Sequence, residues 1–145
     1  GRIFCPVARD PFPGKYIESA ELVFEKGKLD LDRTKAAKGG DEIVRSFKQC
    51  LKVDQQTRKR IRTLNLAEIG IGCNPRITKV IGYVLTDEKI IGSAHVAFGD
   101  NFTYGGTSRS VMHWDFVTIP RVTMVARIDD GSERVVIDGG RIRKG

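Results

Sequence analysis

Cysteine is scarce in this chain: Cys5, Cys50 and Cys73 are odd in number, widely spaced and in no CxxC arrangement. That pattern argues against a disulfide framework and against a cysteine zinc site, and it fits a reducing cytoplasm. No apolar run approaches the length that crosses a bilayer, so no membrane association is expected. Aromatic residues make up only 8% and are not interleaved with basic ones, as they are on surfaces that stack single-stranded bases. Nucleic acid is therefore not the expected partner. It stays a competing reading because the formal charge is +7 and KVDQQTRKRIR (52–62) concentrates part of it. An initiator methionine and a signal-peptide pattern are also missing from the opening Gly1-Arg2-Ile3-Phe4, which reads as a processed terminus or the start of an excised piece.

What is present, 145 residues of which 40% are hydrophobic and 30% charged, is enough for one domain with a real core and no staples. Residues 17–35, IESAELVFEKGKLDLDRTK, alternate apolar and polar on both sides of Lys26-Gly27, the pattern of a β-hairpin. Asp41 is placed to cap a short helix with Ile43, Val44, Phe47 and Leu51 at helical spacing, and Asp54 to cap a second one reaching about Thr63. The basic residues of that second stretch fall on every side, which describes a solvated helix. From Asn65 onward come short β-branched runs broken by glycine: NLAEIGIG, KVIGYVL, GSAHVAFG, SVMHWDFVTI, RVTMVARI and ERVVIDGG. The last two flank Asp129-Asp130-Gly131-Ser132, a hairpin turn signal. The expected class is α+β, predominantly antiparallel sheet or barrel-like, with one or two short helices.

In a strand, His113 and Asp115 of MHWDF project together, and Met112, Trp114 and Phe116 project to the other face. Such a pair is either hydrogen-bonded within the core or a pair of metal ligands. The second of the two histidines, His95 in GSAHVAFGDN, and Glu68 in NLAEIGIG bear on that choice. Glu68 lies among Leu66, Ile69 and Ile71, and an unpaired carboxylate buried there would be costly. Three β segments thus each offer oxygen or nitrogen donors of the kind that zinc, cobalt or manganese prefer. Glu88 and Asp100 read as solvated turns, and no general base is assigned. The run Gly105 to Ser110 has the composition of an anion-binding loop, but no helix pattern follows it, so it reads as a mobile loop near the site. Cys73 and Ser110 have no other support as nucleophiles.

In this order, NLAEIGIG, DEKIIGSAHVAFGDN and SVMHWDF resemble the carboxy-terminal half of the aminopeptidase T family of thermophilic metallopeptidases. The likeness is concentrated in residues 65–118, with weaker support from IFCPV and DGGRI. It implies that Glu68, His95, His113 and Asp115 bind a pair of divalent ions, with Glu68 able to bridge them, and that the substrate is a peptide. It further implies a homodimer or other homo-oligomer enclosing the site. The family's first metal-binding glutamate would fall just before Gly1, and an α/β domain precedes it. On that resemblance, residues 1–145 form one domain, the carboxy-terminal part of a longer enzyme, with weak or no activity alone. The family's active-site tyrosine corresponds to Phe102, with Tyr104 nearby, and GDNFTYGG is closer to a shorter branch of the family. The competing reading is a non-catalytic binding or assembly module with a basic surface.

Overall fold

The computed structural model describes residues 1–118 and 121–143; Ile119, the last residue of the SVMHWDFVTI run, lies outside them. The expected first hairpin is present as β2 (Tyr16–Glu25) and β3 (Lys28–Lys35), and β1 (Arg2–Arg9) pairs with β2 to complete an antiparallel sheet. Lys26 and Gly27 both have positive φ, 49° and 74°, the left-handed pair that matches a two-residue turn to the twist of its strands. A second antiparallel sheet has the order β4 (Leu66–Ile71), β5 (Ala94–Gly99), β6 (His113–Val117). The third is β7 (Met124–Arg127), β8 (Glu133–Asp138) and β9 (Arg141–Ile142), with the expected turn between its first two strands. The fold is α+β and mostly sheet, as the sequence implies; the three sheets do not close, so the barrel-like alternative is set aside.

The helical region differs from expectation. One helix, α1, runs without a break from Gly40 to Thr57, and residues 58–62 leave it as irregular chain. Ile43, Phe47, Cys50 and Asp54 are all buried and recur every three or four residues, which is one helical stripe. Asp54 belongs to that stripe and does not begin a new helix. Its carboxylate mimics an N-cap in the sequence, yet accepts hydrogen bonds from Thr63 Oγ1 (2.6 Å), Ser110 Oγ (2.6 Å), Val111 N–H (3.1 Å) and Arg58 Nε (2.8 Å). KVIGYVL is not a strand either. There the buried Asp87 carboxylate accepts the N–H groups of Ile81 and Gly82, folding the segment back into a short helix, α2 (Val84–Asp87).

The core lies between the first two sheets and α1. Phe47 stacks on Trp114 with centroids 5.4 Å apart and meets Phe98 edge-on at 6.2 Å, all three rings being buried. Because Phe47 is fully buried, truncating it to alanine is expected to cost about 3–5 kcal/mol. Among the described residues no helix is long and apolar enough to cross a membrane.

Candidate metal centre

Antiparallel register explains how donors distant in sequence meet. Glu68 is opposite Ala97, and Ala97 is opposite Asp115, so the two carboxylates share one row across the sheet with a methyl group between them. The neighbouring row on one side holds Gly70, His95 and Val117, and on the other side Gly99 faces His113. Rows of the same face repeat every second residue, so the two imidazoles flank the carboxylate row. Small residues make the space: a side chain on Gly70 would collide with the His95 ring. The opposite face of the same strands carries Val96, Phe98, Trp114 and Phe116 into the core.

Strict alternation would put Leu66 and Glu68 on one face. Instead the register shifts between them, so Leu66 pairs with Phe98 and packs against the core while Glu68 pairs with Ala97 over the site. Asn101 Nδ2 donates to the Ala67 carbonyl inside this bulge (2.9 Å), and Asn101 Oδ1 accepts from Ser108 N–H. One side chain thus fixes the bulge to the loop that follows β5. Ile69, expected on the core, is 65% exposed as a result of lying beyond the aromatic cluster on the outer strand.

Glu68 stands between both histidines, with Oε1 3.2 Å from His95 Nε2 and Oε2 3.4 Å from His113 Nε2. Asp115 Oδ2 is 3.4 Å from His113 Nε2. The Asp100 carbonyl accepts a hydrogen bond from His113 Nδ1–H at 2.6 Å, which leaves Nε2 as the nitrogen directed at the carboxylates. The four residues named from the sequence therefore converge. Glu88 joins them: donor atoms of Glu68, His113 and Asp115 form one group within 4.8 Å, and those of Glu88, His95 and Asp115 form a second. Asp115 belongs to both groups.

The hydrogen bonding around these donors is incomplete. Glu68 Oε2, His95 Nδ1 and Asp115 Oδ1 are buried and have no hydrogen-bond partner among the described residues. A buried carboxylate oxygen without a partner costs of order 1–3 kcal/mol, so three orphaned donors in one cluster call for a cation or an ordered ligand. Electrostatics point the same way. The Asp115 hydrogen bond drives His113 up to about 9 against the opposing effect of burial, helped by the Asp100 carbonyl and by the charges of Asp115 and Glu68. The field at Nε2 thus favours positive charge. A divalent ion held there would take the place of a proton.

No family model matches this chain, and no curated protein does. The centre thus rests on its own geometry. Glu88 was expected in a solvated turn, but it follows directly on α2 with its side chain 15% exposed, beside Lys89, and faces the second donor group. The only sequence signal for it was an acidic residue seven positions before His95. Asp100 does occupy a turn, where its carboxylate accepts from Phe102 and Ser110 N–H, and it acts on the site through its carbonyl. Tyr104 is the aromatic residue beside the centre, its ring 5.5 Å from that of His113, while Phe102 lies under the Arg109 guanidinium. Ser110 is bonded to Asp54 and Cys73 to the Ile71 carbonyl, so neither is paired with a histidine as a nucleophile. The run from Gly105 to Ser110, read as a mobile loop, is tied down: Ser108 N–H donates to Asn101 Oδ1, Ser108 Oγ to the Gly99 carbonyl, and Ser110 N–H to the Asp100 carboxylate.

A cavity of about 330 Å³ opens at the edge of β6 with His113 and Asp115 in its wall. Val7, Tyr83, Val84 and Val117 supply apolar lining. That is room for a small organic group beside the donor cluster.

Proposed function

We propose that this protein binds two divalent metal ions, zinc, cobalt or manganese, and hydrolyses the amino-terminal peptide bond of a peptide. The observation that carries the reading is the set of buried, unpartnered donors on Glu68, His95 and Asp115, converging with His113 and Glu88. One ion would be held by Glu68, His113 and Asp115, the other by Glu88, His95 and Asp115, with Asp115 common to both. Metal ions in such a pair polarise a scissile carbonyl and lower the pKa of a bound water to near neutrality. The resemblance of residues 65–118 to the aminopeptidase T family supports the choice of an amino-terminal peptide bond.

The chain's own contributions are positional. Asp100 fixes the His113 ring through Nδ1, and Glu68 spans the two imidazoles. Asp87, by accepting two backbone N–H groups, folds the segment that presents Glu88. The apolar cavity beside His113 gives a side chain of the substrate a place away from water. A reducing compartment suits the free thiols Cys5, Cys50 and Cys73.

Metal analysis of protein purified without chelator tests the reading. The expected content is about two equivalents, falling to less than about half an equivalent in a His95→Gln, His113→Gln double variant. Leucine-anilide hydrolysis is expected to be weak and lost together with the metal. Metal content that the double variant leaves unchanged sinks the proposal; bound metal without any hydrolysis would leave a structural centre in a binding or assembly module.

A further inference from the structure

A second concave site lies where the end of α1 meets the connector 58–62 and the loop after β5. Arg58, Lys59, Arg60, Arg62 and Arg109 line a cavity of about 490 Å³ together with Thr57 and Thr107, and among the described residues no carboxylate belongs to its wall. Arg58 is paired with the buried Asp54, but Lys59, Arg60, Arg62 and Arg109 make no ion pair among the described residues. Four unbalanced positive charges in one hollow repel each other in the empty state, and an anion relieves that repulsion. The simplest structural alternative is that cations gather at the negative end of the α1 dipole. That effect fades within the last turn and accounts for residues next to Thr57, not for Arg62 or for Arg109 arriving from another segment.

The hollow is also built rather than accidental. The three segments that form it are fastened to one atom group, the Asp54 carboxylate, through Arg58, Thr63, and Ser110 with Val111 N–H. Burial opposes the charge on Asp54, and these four hydrogen bonds outweigh it, holding its carboxyl below the usual range. Arg109 is further oriented by the Phe102 ring, 3.3 Å from its guanidinium carbon. Among the described residues no aromatic side chain lines the cavity, so it offers no ring on which a nucleic-acid base would stack.

We infer that this basic hollow is an anion-binding site for a small molecule bearing an oligophosphate group, separate from the donor cluster of the metal centre. Guanidinium groups suit such a ligand because each presents a planar fork to phosphate oxygens, and several together match several successive phosphates.

Isothermal titration of the full chain with inorganic tripolyphosphate, at about 0.15 M salt, tests the inference. One saturable site is expected. Lys59→Gln combined with Arg60→Gln, both exposed side chains outside any ion pair, should weaken it at least about tenfold. Lys26→Gln combined with Lys28→Gln removes the same charge at the β2–β3 turn and should change affinity less than about twofold. Glu68→Gln combined with His113→Gln, which cripples the metal centre, should leave binding intact. Equal weakening by both lysine-containing pairs overturns the inference in favour of diffuse attraction. Loss in the Glu68, His113 pair overturns it in favour of capture by the metal centre. Tighter binding of single-stranded DNA of about 20 nucleotides than of tripolyphosphate replaces it with a nucleic-acid surface.

Discussion

Buried carboxylate oxygens in two parts of this molecule, Asp54 and the Glu68–Asp115 row, answer the same cost in opposite ways. Asp54 is fully buried and every one of its hydrogen bonds comes from the protein, four donors from three segments. Glu68 and Asp115 have histidines as their ion-pair partners, and among the described residues each retains a buried oxygen with no hydrogen bond. The first arrangement spends its acceptor capacity on holding the chain together. The second keeps capacity in reserve, which is a poor way to stabilise a fold and a good way to hold a cation. The contrast distinguishes a structural carboxylate from a pair proposed to bear a metal ion, without reference to any relative.

The largest effect expected from this contrast concerns metal. Asp115→Ala removes a donor from both groups and should weaken divalent-ion binding by about a thousandfold or more, read by competition with a chromophoric chelator. Asp54→Ala should leave that affinity within about threefold, provided that assays are run well below its melting temperature.

Stability should show the reverse. Asp54→Ala leaves Thr63, Ser110 and Val111 N–H without their acceptor and is expected to cost about 3–5 kcal/mol, read by urea denaturation of chelated protein. The sign of the pH dependence follows from the depressed carboxyl of Asp54. Its contribution is complete above the ordinary aspartate range and is lost as pH falls through the folded value, so acid should shrink the gap between wild type and variant.

Gly70→Ala sharpens the comparison from the backbone side. Its methyl group must displace the His95 ring, so metal affinity should fall by about tenfold to a hundredfold with the fold retained by circular dichroism. Asn101→Ala, which frees the bulge carbonyl of Ala67, should cost about 1–2 kcal/mol and weaken metal binding more mildly.

The smallest expected change is in the metal-free protein. There Asp115→Asn removes an under-satisfied charge and an attraction to His113 together, so net stability should move by less than about 1 kcal/mol. His113 should report it more clearly. Its value, raised to about 9 first by Asp115, should return toward the ordinary range when followed by NMR in chelated protein. A raised histidine stabilises the fold fully below its unfolded value near 6.5 and loses that contribution as pH rises through about 9, so this window should narrow in the variant.

The amino-acid sequence by itself determined much of the architecture. Alternation in residues 17–35 and in MHWDF, together with the turns at Lys26-Gly27 and Asp129–Ser132, fixed five strands and the facing of His113 and Asp115, because side-chain period and positive-φ turns are local properties. The four expected donors could also be named from it. Only tertiary structure decided that a bulge at Ala67 turns Glu68 away from Leu66, that Glu88 completes a second donor group, and that Asp54 sits inside one long helix as its anchor. The bulge and the Asp54 anchor depend on hydrogen bonds between residues far apart in the chain, Asn101 to Ala67 and Ser110 to Asp54, and the placing of Glu88 on Asp87 capturing the nearby Ile81 and Gly82 N–H groups, contacts whose free energy outweighs the local preferences that sequence patterns record.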